Sequence, residues 1–105
     1  MEKILKKVSS ICEEFSFEKL YREDTNELWI TGYKEDIKFD LYIRPQKDGN
    51  IKLVFEIPQE RKVCLFLNEE DTIKRINKIF YENYYLPQKT KKEDITEGMQ
   101  SYATN

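Results

Sequence analysis

Glu60-Arg61-Lys62 is the stretch of this chain that comes nearest to a catalytic motif. The Glu-x-Lys spacing is that of metal-dependent nucleases, where carboxylates hold Mg²⁺ and a lysine supports the attacking water. Asp40 or Asp48 would have to act as the upstream acid. The trio follows Pro58 in a loop rather than projecting from a strand, and a three-residue match arises by chance where 36% of residues are charged. A carboxylate-metal hydrolase is therefore the third of three functional readings. The doublets Glu13-Glu14, Glu23-Asp24, Glu35-Asp36, Glu69-Glu70 and Glu93-Asp94 fall mostly at turns, on a wet helix face or at a helix start. Carboxylates in such places need no ion to explain them. The chain has no histidine, which removes the commonest zinc ligand and any imidazole that could activate Cys64 as a nucleophile. Three glycines, Gly32, Gly49 and Gly98, make no phosphate-binding loop. The expectation is a protein without catalytic residues, metal or cofactor.

A second group of residues suits binding rather than catalysis. In the segment "IFYENYY", residues 79–85, four aromatic rings fall close together just before the basic run "KTKK". With helical spacing, Ile73, Ile76, Ile79, Phe80 and Tyr84 share one face and form a core seam. Tyr81 and Tyr85 fall instead in line with Lys74 and Lys78, making a basic-aromatic stripe on the flank. Three uses of the stripe compete. The tyrosines can roof the edge of the core with their hydroxyls in water. They can anchor a protein interface, where Tyr gives large contact area at low entropy cost. They can also stack nucleic-acid bases while the lysines hold phosphates.

Charge gives little support to that last use. The formal net charge is −2, and residues 1–40 sum to −3, 41–80 to +2 and 81–105 to −1, so no basic field steers a polyanion. The N-terminal "MEKILKKVSSICEEF" lacks the uninterrupted apolar run of a signal peptide, and no stretch is long and apolar enough to span a bilayer. A cytoplasmic protein without membrane contact is expected. Cys12 and Cys64 stand among apolar neighbours without a repeat spacing, which reads as two buried free thiols. Fourteen Lys against four Arg, eleven Ile and one Ala suggest an AT-rich coding sequence, as in a low-GC microbe or its virus or plasmid.

The elements that must position these residues follow from periodicity. Ile4, Val8, Ile11, Cys12 and Phe15, with Leu5, line one side of an N-terminal helix whose other side is charged or serine. Residues 17–22 allow a short extra strand before a turn at "EDTN", and "ELWITGY" follows with β-forming residues. In "IKFDLYIR" the residues Ile37, Phe39, Leu41 and Ile43 alternate with polar ones, and Ile51, Leu53, Phe55 and Ile57 do the same in "IKLVFEI". Matching the two buried rows requires an odd loop, three residues long, with Gly49 or Asn50 left-handed. "VCLFL" is apolar throughout and reads as a central or doubly covered strand. Asn68 caps a last helix that carries Glu69, Glu70 and Asp71 in its first turn and runs to about Tyr85, before Leu86-Pro87.

The expected architecture is an α+β domain over residues 1–87. An antiparallel four-stranded meander has an N-terminal and a C-terminal helix packed on one face, in the order α-β-β-β-β-α. Residues 88–105 form a polar tail in which Ile95, Met99 and Tyr102 keep helical spacing. A small non-enzymatic protein-binding module is the first functional reading, of the accessory or inhibitory kind that mobile elements carry. A nucleic-acid binder using the stripe is the second. Self-association is expected too, through either the Tyr81 flank or the outer sheet face, where Tyr42 and Val54 stand beside charges. The binding residues are thus Lys74, Lys78, Tyr81, Tyr85 and Tyr42.

Overall fold

A computed structural model describes residues 1–86; the polar tail from 88 onward, with "KTKK", lies outside the described residues. Helix α1 (Glu2–Phe15) is followed by strands β1 (Glu18–Arg22), β2 (Glu27–Lys34), β3 (Ile37–Pro45), β4 (Ile51–Ile57) and β5 (Arg61–Leu67), then helix α2 (Glu69–Tyr81). The fold is α+β, but the antiparallel sheet has five strands in the order β1-β2-β3-β4-β5, not four. The added strand is the 17–22 segment. It escaped the count because only Tyr21 of β1 packs against the core, so the strand has little hydrophobic alternation to show.

The core is one buried cluster. Leu28 and Ile30 of β2, Phe39, Leu41 and Ile43 of β3, and the four alternate residues of β4 share it with Ile4, Val8 and Ile11 of α1 and Ile76, Ile79 and Phe80 of α2. Phe80 meets Phe39 with ring centroids 5.2 Å apart and Phe17 at 5.3 Å, which ties the last helix to the sheet. Register is as parity required: Ile43 lies opposite Leu53. The Gln46 N–H donates to the Asn50 carbonyl at 2.7 Å, leaving Lys47, Asp48 and Gly49 as the loop, with Gly49 left-handed at φ 93°.

Two expectations for the ends of the chain are overturned. Strand β5 is an edge, not a central or covered strand, because a meander that visits every position in order leaves its last strand outermost. Its inward Val63 and Leu65 are half-buried, and its outward Cys64 and Phe66 are exposed. Helix α2 stops at Tyr81, four residues short of Tyr85. Its start is as expected, with the Asn68 side chain accepting from the Asp71 N–H at 2.7 Å. Beyond Tyr81 the chain turns through Asn83 at φ 53°, and helical spacing no longer tells where Tyr84 and Tyr85 go.

Candidate functional site: the outer face of the sheet

Asn83 in the left-handed region decides what becomes of the tyrosine stripe. Tyr84, read as seam, is 52% exposed. Tyr85, read as surface, packs against the core with its ring 5.5 Å from Phe55, and its hydroxyl accepts from Arg75. Tyr81 is 48% exposed, tilts against Phe15 at 5.7 Å and donates to Glu14 Oε1 at 2.7 Å, which raises its pKa. Lys78 Nζ lies 5.2 Å from the Tyr84 ring centre, and Lys74 reaches Glu70 only at 4.0 Å. The four stripe residues are therefore not brought together as one surface. Tyr85 is committed to the core, and Tyr81 leans toward α1.

Tyr42, the remaining predicted binding residue, lies in a different setting. The registers of the four strand pairs align residues of opposite parity from the core into three parallel rows across the whole sheet. The middle row is Leu20, Trp29, Tyr42, Val54 and Cys64, one residue from each strand. None of these five belongs to the buried core cluster. On one side runs Glu18, Thr31, Asp40, Glu56 and Lys62; on the other runs Arg22, Glu27, Arg44, Lys52 and Phe66. The apolar row thus has a bank with three acids and one lysine along one side, and a bank with three bases and one glutamate along the other. Of the large apolar side chains that are strongly exposed, Leu20 at 61%, Tyr33 at 66% and Phe66 at 58% all point to this face.

The centre of the face is organised by a polar cluster. Trp29 and Tyr42 have ring centroids 5.3 Å apart, tilted by 47°. The Tyr42 hydroxyl donates to Glu27 Oε2, Thr25 Oγ1 donates to Oε1 at 2.8 Å, and Arg44 Nη1 lies 3.4 Å from Oε2. Both carboxylate oxygens are engaged, and the Glu27 side chain is only 12% exposed. The Tyr42 bond, then Thr25, then the Arg44 charge hold the Glu27 carboxyl below its ordinary range, although partial burial opposes them. Burial, with the Glu27 bond next, pushes the Tyr42 phenol up. Both shifts describe one neutral phenol donating to one carboxylate. The tyrosine ring is thereby fixed in place beside Trp29. A shallow depression of about 420 Å³ runs past Leu20, Trp29, Tyr42 and Val54, lined also by Asp40 and Glu56.

The catalytic candidates are not assembled. Glu60 is exposed in the β4–β5 turn, and Asp48 lies in the β3–β4 loop at the opposite end of the sheet. Among the described residues no three Asp, Glu, Cys or His side chains form a group able to hold a metal ion. Lys38 donates to Asp40 at 3.3 Å and to Thr31, so that aspartate has a lysine partner. Both cysteines are free thiols, but only Cys12 is buried; Cys64 is exposed because it stands on the outer face of an edge strand. Among the described residues no helix is long and apolar enough to cross a membrane.

Sequence reasoning found Tyr42 and Val54 on this face and missed Leu20, Trp29, Cys64 and Phe66. The signal for Trp29 was present, since it alternates with Leu28 and Ile30 in β2; that for Cys64 and Phe66 was hidden by the apolar inner residues between them. Comparison with known proteins returns no match: no family model, no curated protein and no solved structure aligns with this chain, so the reading of the site rests on its own geometry.

Proposed function

We propose that this chain is a non-enzymatic protein-binding module whose binding surface is the outer face of the five-stranded sheet. The observation that carries the reading is the row Leu20-Trp29-Tyr42-Val54-Cys64, an apolar band across every strand, between banks of opposite charge. Both helices are read as covering the inner face, which leaves the outer one for a partner. Apolar residues rimmed by charge are the pattern of an interface, and Trp and Tyr are the residue types that dominate interface energetics. The Tyr42–Glu27 bond favours binding further, because a ring already fixed loses little freedom when a partner covers it.

The nucleic-acid reading has less support. It required Tyr81 and Tyr85 to present free ring faces, whereas Tyr85 stacks on Phe55 and meets Tyr84 edge-on at 5.0 Å. Immobilised wild-type chain and its Val54→Arg, Tyr42→Ala and Tyr81→Ala variants, used as baits in extracts of the native source, test the proposal. Protein capture is expected to be lost with the first variant, weakened with the second and kept with the third. Equal capture by all four baits contradicts the outer-face reading. Loss only with Lys74→Glu and Lys78→Glu, together with release by nuclease, would put the nucleic-acid reading in its place.

A further inference from the structure

Resting on the outer-face reading, we infer that the occupant of this face is a second copy of the chain, placed face to face by a two-fold axis running along the apolar row. The charge pattern selects both the occupant and the axis. A two-fold along the row leaves each strand over its own counterpart with direction reversed, so the acidic bank of one copy lies over the basic bank of the other. The register then sets Glu18 over Arg22 of the second copy, Asp40 over Arg44 and Glu56 over Lys52. All three acids of the acidic bank meet a base, while Glu27, already paired with Arg44 of its own chain, lies over Thr31. The middle row meets itself: Leu20 on Leu20, Trp29 on Trp29, Tyr42 on Tyr42. Aligned packing of two sheets is an established arrangement, and a self-complementary patch is what an isologous dimer requires.

The other in-plane two-fold, parallel to the strands and through β3, matches the charges less well. It sets β1 over β5 and β2 over β4, which pairs Glu18 with Lys62 and Glu27 with Lys52, but it puts Asp40 over Asp40 and Arg44 over Arg44 at the axis. Like charges brought face to face are strongly disfavoured, so the pattern distinguishes the two dimers. The row-aligned dimer covers the exposed Leu20 and Phe66 at the two sheet edges, which a monomer leaves in water. Five strands at about 4.8 Å spacing and rows about 17 Å deep cover on the order of 400 Å² of flat area per copy, so the interface is small and the association weak.

Two reversed-charge chains test this. Glu18→Lys with Glu56→Lys makes both banks basic, and Arg22→Glu with Lys52→Glu makes both acidic; both keep Tyr42, Glu27, Arg44, Lys38 and Asp40, although Arg22→Glu removes a neighbouring charge that helps hold the Glu27 carboxyl low. Each alone should self-associate more than about tenfold more weakly than wild type. An equimolar mixture should recover a dimer of one chain of each kind, with melting temperatures showing that both are folded. A short bis-maleimide supplies the geometry. It should link Cys64 to Cys64 in the wild-type dimer, and Leu20→Cys in a Cys64→Ser background should link to itself equally well. Pairing of two β5 edges would link Cys64 alone, and the strand-parallel axis would link a cysteine placed at Leu20 only to Cys64. Either outcome overturns the proposed axis. A monomer at all concentrations whose outer-face variants still lose a captured protein would overturn the second copy as occupant while leaving the outer-face reading intact.

Discussion

Tyr42 was legible from alternation alone as an outward residue of β3, but its role depends on a neighbour that alternation does not connect to it. Glu27 comes beside it only through the β2–β3 register, which sets Trp29 opposite Tyr42 and Leu28 opposite Ile43. The Glu27 carboxyl is held low by the Tyr42 bond first, so its contribution to stability is present above the ordinary carboxylate value and is lost as pH falls through the lowered one. Urea midpoints from pH 7 down to pH 3 should therefore fall less for Glu27→Gln than for wild type. Tyr42→Phe should raise the Glu27 pKa when side-chain carboxyl shifts are followed by NMR; an unchanged value would remove the cluster from the account. Gly32 has a different importance, and nothing in composition announced it. A Cβ there would lie 2.6 Å from Phe17 Cδ1, and that ring is wedged among Phe15, Phe39 and Phe80. Gly32→Ala should destabilise the fold by about 1–3 kcal/mol in denaturant unfolding, the usual range for overpacking a core.

Helix α1, strands β2 to β4 and the start of α2 were readable because each has a strong period and clear punctuation. The readings failed at β1, β5 and the end of α2. Strand β1 sends only Tyr21 to the core, so burial leaves almost no trace in its sequence. Strand β5 misled in the other direction: an apolar run looks like a buried strand whether its outer residues face helices or a protein surface. The end of α2 was misplaced because Leu86-Pro87 gave a later stop than the one the chain uses at Glu82. The consequence is measurable as an exchange of roles between adjacent tyrosines. Tyr85→Ala should lower folding stability by about 2 kcal/mol or more, and Tyr84→Ala and Tyr81→Ala by about 1 kcal/mol or less. Phe80→Ala, a fully buried control, should lose roughly 3–5 kcal/mol. Equal losses at Tyr84 and Tyr85 in thermal or urea unfolding would show that the segment after Tyr81 is not packed as described.

At the scale of the molecule, the α+β class and the meander were written in the order of periods along the chain, but the outer face was not. A surface of three rows exists only once five strands are in register, and its charge banks draw on residues as far apart in sequence as Glu18 and Lys62. Net charge conceals it as well, since banks of opposite sign cancel to leave a chain at −2. The banks do not cancel locally, and the proposed pairing with a second copy turned about the apolar row rests on that. Sedimentation equilibrium of wild type and Val54→Arg, from about 1 to 100 μM, tests this most directly, because an arginine at the centre of the row must stay solvated and cannot be covered by an apolar partner. Wild-type mass should rise with concentration from 12.7 kDa toward about twice that value. The variant should stay at the monomer mass with an unchanged melting temperature. A wild type that remains monomeric throughout, or a Val54→Arg chain that dimerises as well as wild type, would contradict it.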